Sequence, residues 1–563
     1  MYLVLPSFKR LLSYRKEWLR GDFLAGLTVA AYLIPQCMAY GELAGLEPVV
    51  GLWAMLPPMF VYAFFGSSPQ LSIGSESTTA VMTAVAIAPL VVNNQDSYAG
   101  LAALLAIMVG FVCLMGYFLR LGFLADLLSK PILIGYMAGI ALIMIGGQLG
   151  KTAGIPIASD SFFGHIREFI SQLGQAHYPT LILSVVILIF LFTAQNRFPK
   201  APVPLLAVLL ATIAVALFNL EQLGVEIVGE IPAGLPHFAL PIVAVPEFLP
   251  LLASAIGIAI VGYSDNVLTA RSFANRNRYQ IDPNQELLAL GIANLGNGMM
   301  QGFPVSCSAS RTVIGDSLGS KSQAFSLVAM LVLILSLLFL RPLLALFPKA
   351  ALGAIVIFAA TRLIQLSEFI RLYRFRSSEL ILALITTITV LLTDILVGVA
   401  VAISLSVIEL LARVARPHDA VLGTVPNLAG LHDVDDWPQA TTIPGLVIYR
   451  YDAPLCFANG ENFKKRALEA VESEDNPVEW FVLNMEANVE IDITAIDILE
   501  ELRRELATRG IIFGMARVKQ DLYSQLKRSE FIPQIPPEYI FPTLPTAIAG
   551  FQQYKNTQGK SDP

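Results

Sequence analysis

The sequence predicts a polytopic α-helical membrane domain of about fourteen elements in two inverted halves, followed by a small cytoplasmic α/β domain. Three observations carry this prediction. The 563 residues are 55% hydrophobic and only 14% charged, with a mean hydropathy of +0.65, a balance typical of membrane proteins. Basic residues recur after every second apolar run. Two extended stretches, each leading into a Ser/Thr-rich helix start, interrupt the apolar pattern at matching places.

The amino end is basic and amphipathic from Phe8 through Arg20 and predicts an interfacial helix within a cytoplasmic segment, residues 1–21. Apolar runs follow at Phe23–Tyr40, Val49–Phe65, Thr78–Val92, Ala99–Leu119, Ile132–Ile145, Leu181–Phe192 and Pro204–Phe218. The second half has Leu251–Val261, Leu287–Leu295, a short helix after Ser308, Phe325–Leu340, Ala350–Leu363, Leu380–Leu392 and Ile395–Leu411. Arg120, Arg197, Lys200, Arg271, Arg276, Arg278, Arg362, Arg371, Arg374, Arg376, Arg413 and Arg416 follow even-numbered elements. Asp96, Asp160, Glu221, Glu226 and Glu230 follow odd-numbered ones, with fewer basic residues, Lys151, Arg167, Arg341 and Lys349. By the positive-inside rule both ends of the chain are cytoplasmic. The membrane domain is placed at 22–416, with halves of about 22–220 and 250–416.

Ser68–Thr79 (SPQLSIGSESTT) leads into the third element, and Gln301–Thr312 (QGFPVSCSASRT) leads into the tenth. Seven elements separate them, an odd number, so the halves are inverted. Irregular backbone at bilayer depth is tolerated only where it is buried in protein or lines a cavity. Interrupted helices at matching places in two halves point to a transporter's midplane site. The predicted picture is two half-helices meeting end to end.

Beyond the membrane, the polar, acidic stretch 417–443 reads as a linker. Strands are predicted at Leu446–Tyr451, Leu455–Ala458, Trp480–Asn484 and Ile511–Ala516, and helices at Asn462–Val471, Ala495–Thr508 and Lys519–Leu526. They make an α/β domain over 444–556, with a tail at 557–563.

A helix amino end offers unpaired N–H groups and partial positive charge, which suits an oxyanion. The two helix starts supply Ser75, Ser77 and Thr78 on one side and Ser308, Ala309 and Ser310 on the other, and Arg311 adds a full charge. The competing reading is that these serines only cap and pack interrupted helices. Asp265 has Thr269 one turn away, a pair suited to holding Na⁺ or accepting a proton; the alternative is an Asp paired with Arg311, or one hydrogen-bonded without titrating. Glu76 either stabilises its helix dipole or is neutralised when an anion binds beside it. Gln36 and Tyr40 share one face of the Pro-kinked first span, as an amide donor and an aromatic gate, or as packing. Asp492 and Thr494 precede a helix, where an N-cap is the default and a phosphorylation or docking site the alternative. The four cysteines, Cys37, Cys113, Cys307 and Cys456, show no metal or pairing pattern and read as buried free thiols. No nucleophile–base set, metal cluster, phosphate loop or ATPase motif is visible, so neither an enzyme nor a cofactor beyond a coupling ion is expected. A net charge of −6 names no partner, and nucleic acid is not expected.

PQCMAYGELAGLEPVVGLW (Pro35–Trp53), LSIGSESTTAVM (Leu71–Met82), the stretch from DNVLTARSFA through NQELLALGIANLGNG (Asp265–Gly298) and GFPVSCSASRT (Gly302–Thr312) together resemble the SulP family of anion transporters. This is the bacterial branch of the sulfate permease and prestin-like superfamily. The carboxyl end, with Asp492 to Ala495, looks like its STAS domain. The resemblance implies a seven-plus-seven inverted repeat, a core domain moving against a gate domain in an elevator-like way, a homodimer in the cell's inner (plasma) membrane, and a cytoplasmic protein partner for the STAS domain. It implies a substrate site of Gln36, Tyr40, Ser77, Thr78, Ser308, Ser310 and Arg311, and a coupling pair of Asp265 and Thr269; the coupling set is completed by Ser306 and by Glu76, the latter from the reading of the residue itself. Asp265 matches the acid that plant-type relatives resemble using for proton coupling. Asp265 and Thr269, with Ser306, look like the sodium site of cyanobacterial bicarbonate members. The sequence departs from that group by having Arg311, which favours sulfate, and from many members by having Ser75 where Pro is usual. The expected function is secondary transport of an inorganic oxyanion, sulfate first, with H⁺ or Na⁺. The alternatives are Na⁺-dependent bicarbonate symport, dicarboxylate transport, an anion channel, or a regulator whose output is the STAS domain.

Overall fold

The computed structural model describes residues 6–91, 98–126, 129–157, 159, 161–198, 201–232, 234–241, 248–393 and 395–558. Val92, Asp96, Asp160, Lys200, the first five residues of the amino-terminal segment and residues 559–563 of the tail, all used in the predictions above, lie outside the described residues. The chain divides into two compact units, one through Ser406 and one from Val407.

The helices up to the first interruption are α1 (Pro6–Leu12), α2 (Leu19–Leu43), α3 (Pro48–Trp53) and α4 (Leu56–Phe65). The two-residue strand β1 (Ile73–Gly74) precedes α5 (Ser77–Ile87). The chain then forms α6 (Tyr98–Phe118), α7 (Lys130–Ala153), α8 (Phe162–Gln172), α9 (Tyr178–Arg197), α10 (Val203–Leu217), α11 (Phe248–Asn277) and α12 (Pro283–Met299). Strand β2 (Ser306–Cys307) precedes α13 (Ala309–Ser317), followed by α14 (Ala324–Phe339), α15 (Arg341–Ala345), α16 (Lys349–Thr361), α17 (Leu366–Phe375), α18 (Ser377–Leu392) and α19 (Ile395–Ala415).

These helices account for the fourteen predicted elements, with α3 and α4 together forming the second. Seven helical stretches among the described residues are long and apolar enough to cross a membrane. The second element was predicted unbroken. It breaks at Ala54–Met55 because Pro57 and Pro58 open α4 and cannot donate to the preceding turn. The apolar run at Leu251–Val261 continues as a 30-residue helix, which puts Asp265 and Thr269 well inside α11.

The first unit packs as two sets of helices that meet where α2 packs on α16 and α10. In one, α6 packs on α12 and α11, α4 on α12 and α14, and α2 on α14 and α13. In the other, α7 packs on α16 and α18, and α9 on α16 and α10. Several pairings recur between the halves: α2 with α14 is matched by α11 with α6, and α9 with α16 by α18 with α7. Without a hydrophobic drive between helices in lipid, close approach of small residues supplies the packing. A Cβ on Gly298 of α12 would lie 2.4 Å from the Ala103 carbonyl oxygen of α6, and one on Gly110 of α6 would lie 2.8 Å from the Gly291 carbonyl oxygen of α12.

One fully buried carboxyl ties the first set together. Glu286 of α12 accepts from the Tyr62 hydroxyl at 2.9 and 3.0 Å, from the Ser67 amide at 2.9 Å and hydroxyl at 2.6 Å, and from Asn266 Nδ2 of α11 at 2.9 Å. The segment anchored here runs directly into β1.

The second unit is a six-stranded sheet in the order β4-β3-β5-β6-β7-β8, built from β3 (Asp419–Thr424), β4 (Leu431–Asp433), β5 (Leu446–Tyr451), β6 (Trp480–Asn484), β7 (Ile512–Ala516) and β8 (Ile540–Phe541). Strands β5 to β8 are parallel, and β3 is antiparallel to both of its neighbours. Helices α20 (Gly460–Glu472), α21 (Ile493–Thr508) and α22 (Gln520–Arg528) bury Phe463, Leu499, Leu502 and Leu522 in one core. Helix α23 (Leu544–Gln558) buries Leu544, Ala547 and Phe551 against Trp480 in another.

Two expectations are corrected here. The stretch 417–443 is not a bare linker: it contains β3 and β4, whose alternate residues Ala420 and Leu422 enter the sheet core and outweigh the polar composition. Leu455–Ala458 is not a strand. It makes one bridge, Leu455 to Ile491, while the Asn459 side chain satisfies Cys456 N and Pro454 O locally, each at 2.9 Å.

Replacing Glu286 with Ala removes the acceptor for donors on three segments. The expected loss is on the order of 3 kcal/mol or more, read as a lower thermal midpoint of the purified protein. Glu47→Ala, at an exposed position, is expected to leave the midpoint unchanged. An equal midpoint for both variants would refute the anchoring role.

Candidate functional site

The two interrupted stretches meet. β1 and β2 pair antiparallel with Ile73 opposite Cys307 and Gly74 opposite Ser306. The Ser308 amide donates to Ser72 O at 2.8 Å, and the Ser72 amide to Thr312 Oγ1 at 3.0 Å. Each strand runs into a helix, so antiparallel pairing sends α5 and α13 away in opposite directions with their amino ends together. Gly74 adopts φ +157°, a backbone conformation that favours glycine, and a Cβ there would push against the end of the Met55 side chain. The Ser75 amide donates to that sulfur at 3.1 Å, so the break between α3 and α4 also serves this junction.

The two helix starts differ. At α5, Glu76 is the N-cap, and its Oε2 accepts from the Thr78 amide at 2.7 Å and the Ser77 hydroxyl at 2.8 Å. The dipole role expected of Glu76 therefore takes the form of a cap, and the Ser77 hydroxyl and Thr78 amide are engaged by the chain's own carboxylate. At α13, Ser308 makes no side-chain cap; its hydroxyl lies 3.2 Å from that of Ser310. Among the described residues, the amides of Ala309 and Ser310 have no acceptor.

Arg311 is fully buried. Its Nε donates to Ser72 Oγ at 3.3 Å, and its Nη1 to Gln36 Oε1 at 3.5 Å and Cys37 Sγ at 3.8 Å. Its Nη2 has no partner among the described residues, nor does the buried Ser75 hydroxyl. The anticipated pairing of Arg311 with Asp265 is not formed: the groups bonded to Arg311 are all neutral. The guanidinium is directed to α2 and β1 instead. Tyr40, one turn beyond Gln36, is buried on α2.

Asp265 accepts from the Cys307 thiol at 3.4 Å. Thr269 faces the same thiol, and Ser306 packs against Gly262, where a Cβ would lie 3.3 Å from that of Ser306. Sequence reading passed over Cys307 and Cys37 as inert buried thiols. Both are buried, and both line this junction. Cys307 places sulfur between Asp265 and Thr269, where a sodium site needs oxygen; hard cations take oxygen ligands, and sulfur suits soft metals.

A cavity of about 430 Å³ opens beside α13, lined by Tyr32, Gln195, Asn196, Ser310, Val313, Ile314 and Arg362. It reaches the site through Ser310, at the end of the fold carrying Arg362. At the other end Glu42, near the end of α2, pairs with Lys151 of α7 at 3.5 Å. In the second unit Asp492 caps α21, accepting from the Ala495 amide at 2.8 Å and from the Phe457 amide at 2.7 Å. Thr494 is exposed in the first turn.

The sulfate permease family pattern matches residues 19–386, and the STAS domain pattern matches residues 438–547. A "Probable sulfate transporter" of Mycobacterium tuberculosis is 52% identical over 97% of this chain and 98% of its own length. The "Sulfate transporter 4.1, chloroplastic" of Arabidopsis thaliana is 32% identical over 99% of this chain and 84% of its own. The murine anion transporter Slc26a9 has the same fold, with a TM-score of 0.89 at 24% identity, covering 98% of this chain and 94% of that one. The transmembrane domain of the cyanobacterial bicarbonate transporter BicA matches with a TM-score of 0.63 at 23% identity, over 69% of this chain and 98% of its own. The chain belongs to the sulfate permease family: it is a multi-pass membrane transporter of anions, not an enzyme, with a STAS domain in its carboxyl-terminal unit.

Proposed function

We propose that the protein is a secondary transporter of sulfate, coupled to protons through Asp265. The observation that carries this reading is the fully buried Arg311, whose Nη2 is left without a partner among the described residues at the junction of two helix amino ends. A buried cation with an unused donor is costly unless an anion completes it. The Ser75 hydroxyl and the open amides of α13 add donors without further full charges, so the anion can also leave. The sulfate relatives, one 52% identical, support sulfate over bicarbonate. Sulfur at the Asp265 pocket supports H⁺ over Na⁺.

The packing supports an elevator-like mechanism. The set holding α2, α11 and α13, with α5 packed on α11 and α2, carries the whole site, and the set of α7, α9, α10, α16 and α18 forms a scaffold that α2 packs against through α16 and α10. The recurring pairings between the halves support the seven-plus-seven inverted repeat. Cavities open at both ends of the fold, one of about 430 Å³ at Ser310 and one of about 600 Å³ lined by Glu42 and Lys151, and the alternation of basic residues supports both ends of the chain being cytoplasmic in the inner (plasma) membrane. The family resemblance implies a homodimer, which light scattering of the purified protein tests. Thr494, exposed at a helix amino end where a phosphate is favoured, is the candidate regulatory site, held in place by the Asp492 cap; a STAS-binding cytoplasmic protein would engage this face.

The test is uptake of labelled sulfate into proteoliposomes, with pH and Na⁺ gradients imposed separately. Accumulation above equilibrium under an inward proton gradient, indifferent to Na⁺, is the expected result. Equilibration alone would indicate a channel, and bicarbonate uptake dependent on Na⁺ would replace both the substrate and the coupling ion. Asp265→Asn is expected to abolish gradient-driven accumulation while sparing part of sulfate–sulfate exchange; unchanged pH dependence in that variant would remove the coupling role. Arg311→Gln keeps hydrogen-bonding capacity but loses the charge. It should lower sulfate uptake at least tenfold, about 1.4 kcal/mol.

A second measurement concerns the STAS domain. Asp492→Ala removes an acceptor for two amides and is expected to destabilise the domain by roughly 1–2 kcal/mol, seen as earlier proteolysis within residues 438–547 of the purified chain. Unchanged sulfate uptake by the same variant would separate this cap from the anion site; lost uptake would contradict that separation.

A further inference from the structure

We infer that Glu76 is a built-in competitor of the transported anion, and that its charge determines which anions the site accepts. The inference rests on the anion site proposed above. A carboxylate oxygen and an oxyanion oxygen seek the same thing at a helix start, an amide and a hydroxyl that donate together. At α5 those donors are the Thr78 amide and the Ser77 hydroxyl, and Glu76 Oε2 holds both, at 2.7 and 2.8 Å. The corresponding N-cap of α13 is Ser308, whose short side chain makes no cap. The chain has thus occupied one of two facing anion-binding ends with its own negative charge and left the other open.

A second observation indicates that the junction receives something else. The Ser75 hydroxyl and Arg311 Nη2 are both fully buried and both without a partner among the described residues. Nη2 lies 3.7 Å from where a Gly74 Cβ would be, so it is aimed at the turn that carries Ser75 and Glu76. An anion that completes Arg311 comes to rest beside a carboxylate. It must either displace Glu76 from the α5 donors or settle on the α13 end against its repulsion. Repulsion scales with the product of the charges, so a divalent anion is penalised more than a monovalent one. Glu76 therefore weakens sulfate binding and narrows its advantage over monovalent anions, which also speeds release.

The experiment is equilibrium binding of labelled sulfate to the purified full chain, with nitrate as the monovalent competitor, for wild type, Glu76→Gln, Glu76→Ala and Arg311→Gln. The expected result is sulfate affinity at least tenfold tighter in both Glu76 variants, with a smaller gain for nitrate. A merely structural cap predicts the opposite pattern: weaker binding in Glu76→Ala, restored by Glu76→Gln, which keeps a capping oxygen. Unchanged or weaker sulfate binding in both Glu76 variants, with binding lost in Arg311→Gln, overturns the competitor and leaves the anion site standing. Sulfate binding that ignores Arg311→Gln as well, or that is absent from all four proteins, removes the site reading and the competitor with it.

Discussion

The site depends on one constraint: backbone that leaves a helix inside a membrane must find its hydrogen bonds within the protein. Two such breaks on their own would be two liabilities. Paired with each other, they satisfy most of the exposed groups at once. The β1–β2 ladder, the Ser308 amide on Ser72 O and the Ser72 amide on Thr312 Oγ1 do this across more than 200 residues of sequence. The same pairing brings the amino ends of α5 and α13 together and presses Arg311 onto Ser72. A feature that solves a solvation problem thereby creates a positive, donor-rich point in a water-poor setting.

That point needs a rigid surround, and the surround is polar as well as close-packed. Glu286 gathers donors from the end of α4, from the segment entering β1 and from α11. It fixes one flank of the β1 strand. Asn266, one of its donors, is the residue after Asp265, so the same network holds the α11 turn facing Cys307. On the other side, Asp22 at the start of α2 accepts from the Lys321 amide at 2.7 Å and the Ser322 hydroxyl at 2.6 Å. It locks the connection between α13 and α14 onto α2. The groups proposed to bind the anion and the proton therefore belong to one packed body, as the proposed carrier motion requires.

Much of this was legible in the sequence because it is encoded locally. The fourteen elements, the two Ser/Thr-rich helix starts, and strands β5 and β6 follow from period, turn residues and capping residues. What escaped is encoded by contact. Nothing near Cys307 in sequence says that it will face Asp265, and a lone cysteine in an apolar segment reads as packing. Glu286 lies in a motif that announces the family but gives no local sign that five hydrogen bonds converge on it. Arg311 and Asp265 suggested a pair because opposite charges at bilayer depth usually seek each other. Strand pairing set the arginine's direction instead. The acidic run after Pro417 hid β3 and β4, since composition outweighed a short alternation of Ala420 and Leu422.

Charge arithmetic links the two halves of the proposal. The junction holds one fixed positive charge, Arg311, and two carboxyl groups, Asp265 and Glu76, each within electrostatic range of the other. With both ionised, the fixed charge is −1 before any substrate arrives. Sulfate would take it to −3 in a site shielded from water, where unscreened charge is expensive. The two helix amino ends together offer about one positive charge in partial form, which offsets only part of that. The remainder requires positive charge to enter with the anion, and a proton on Asp265 is the smallest such charge this chain has a place for. On the proposed reading coupling is not an added device: a doubly charged anion is strongly opposed at a site already carrying two carboxylates unless at least one of them is neutralised on the same visit.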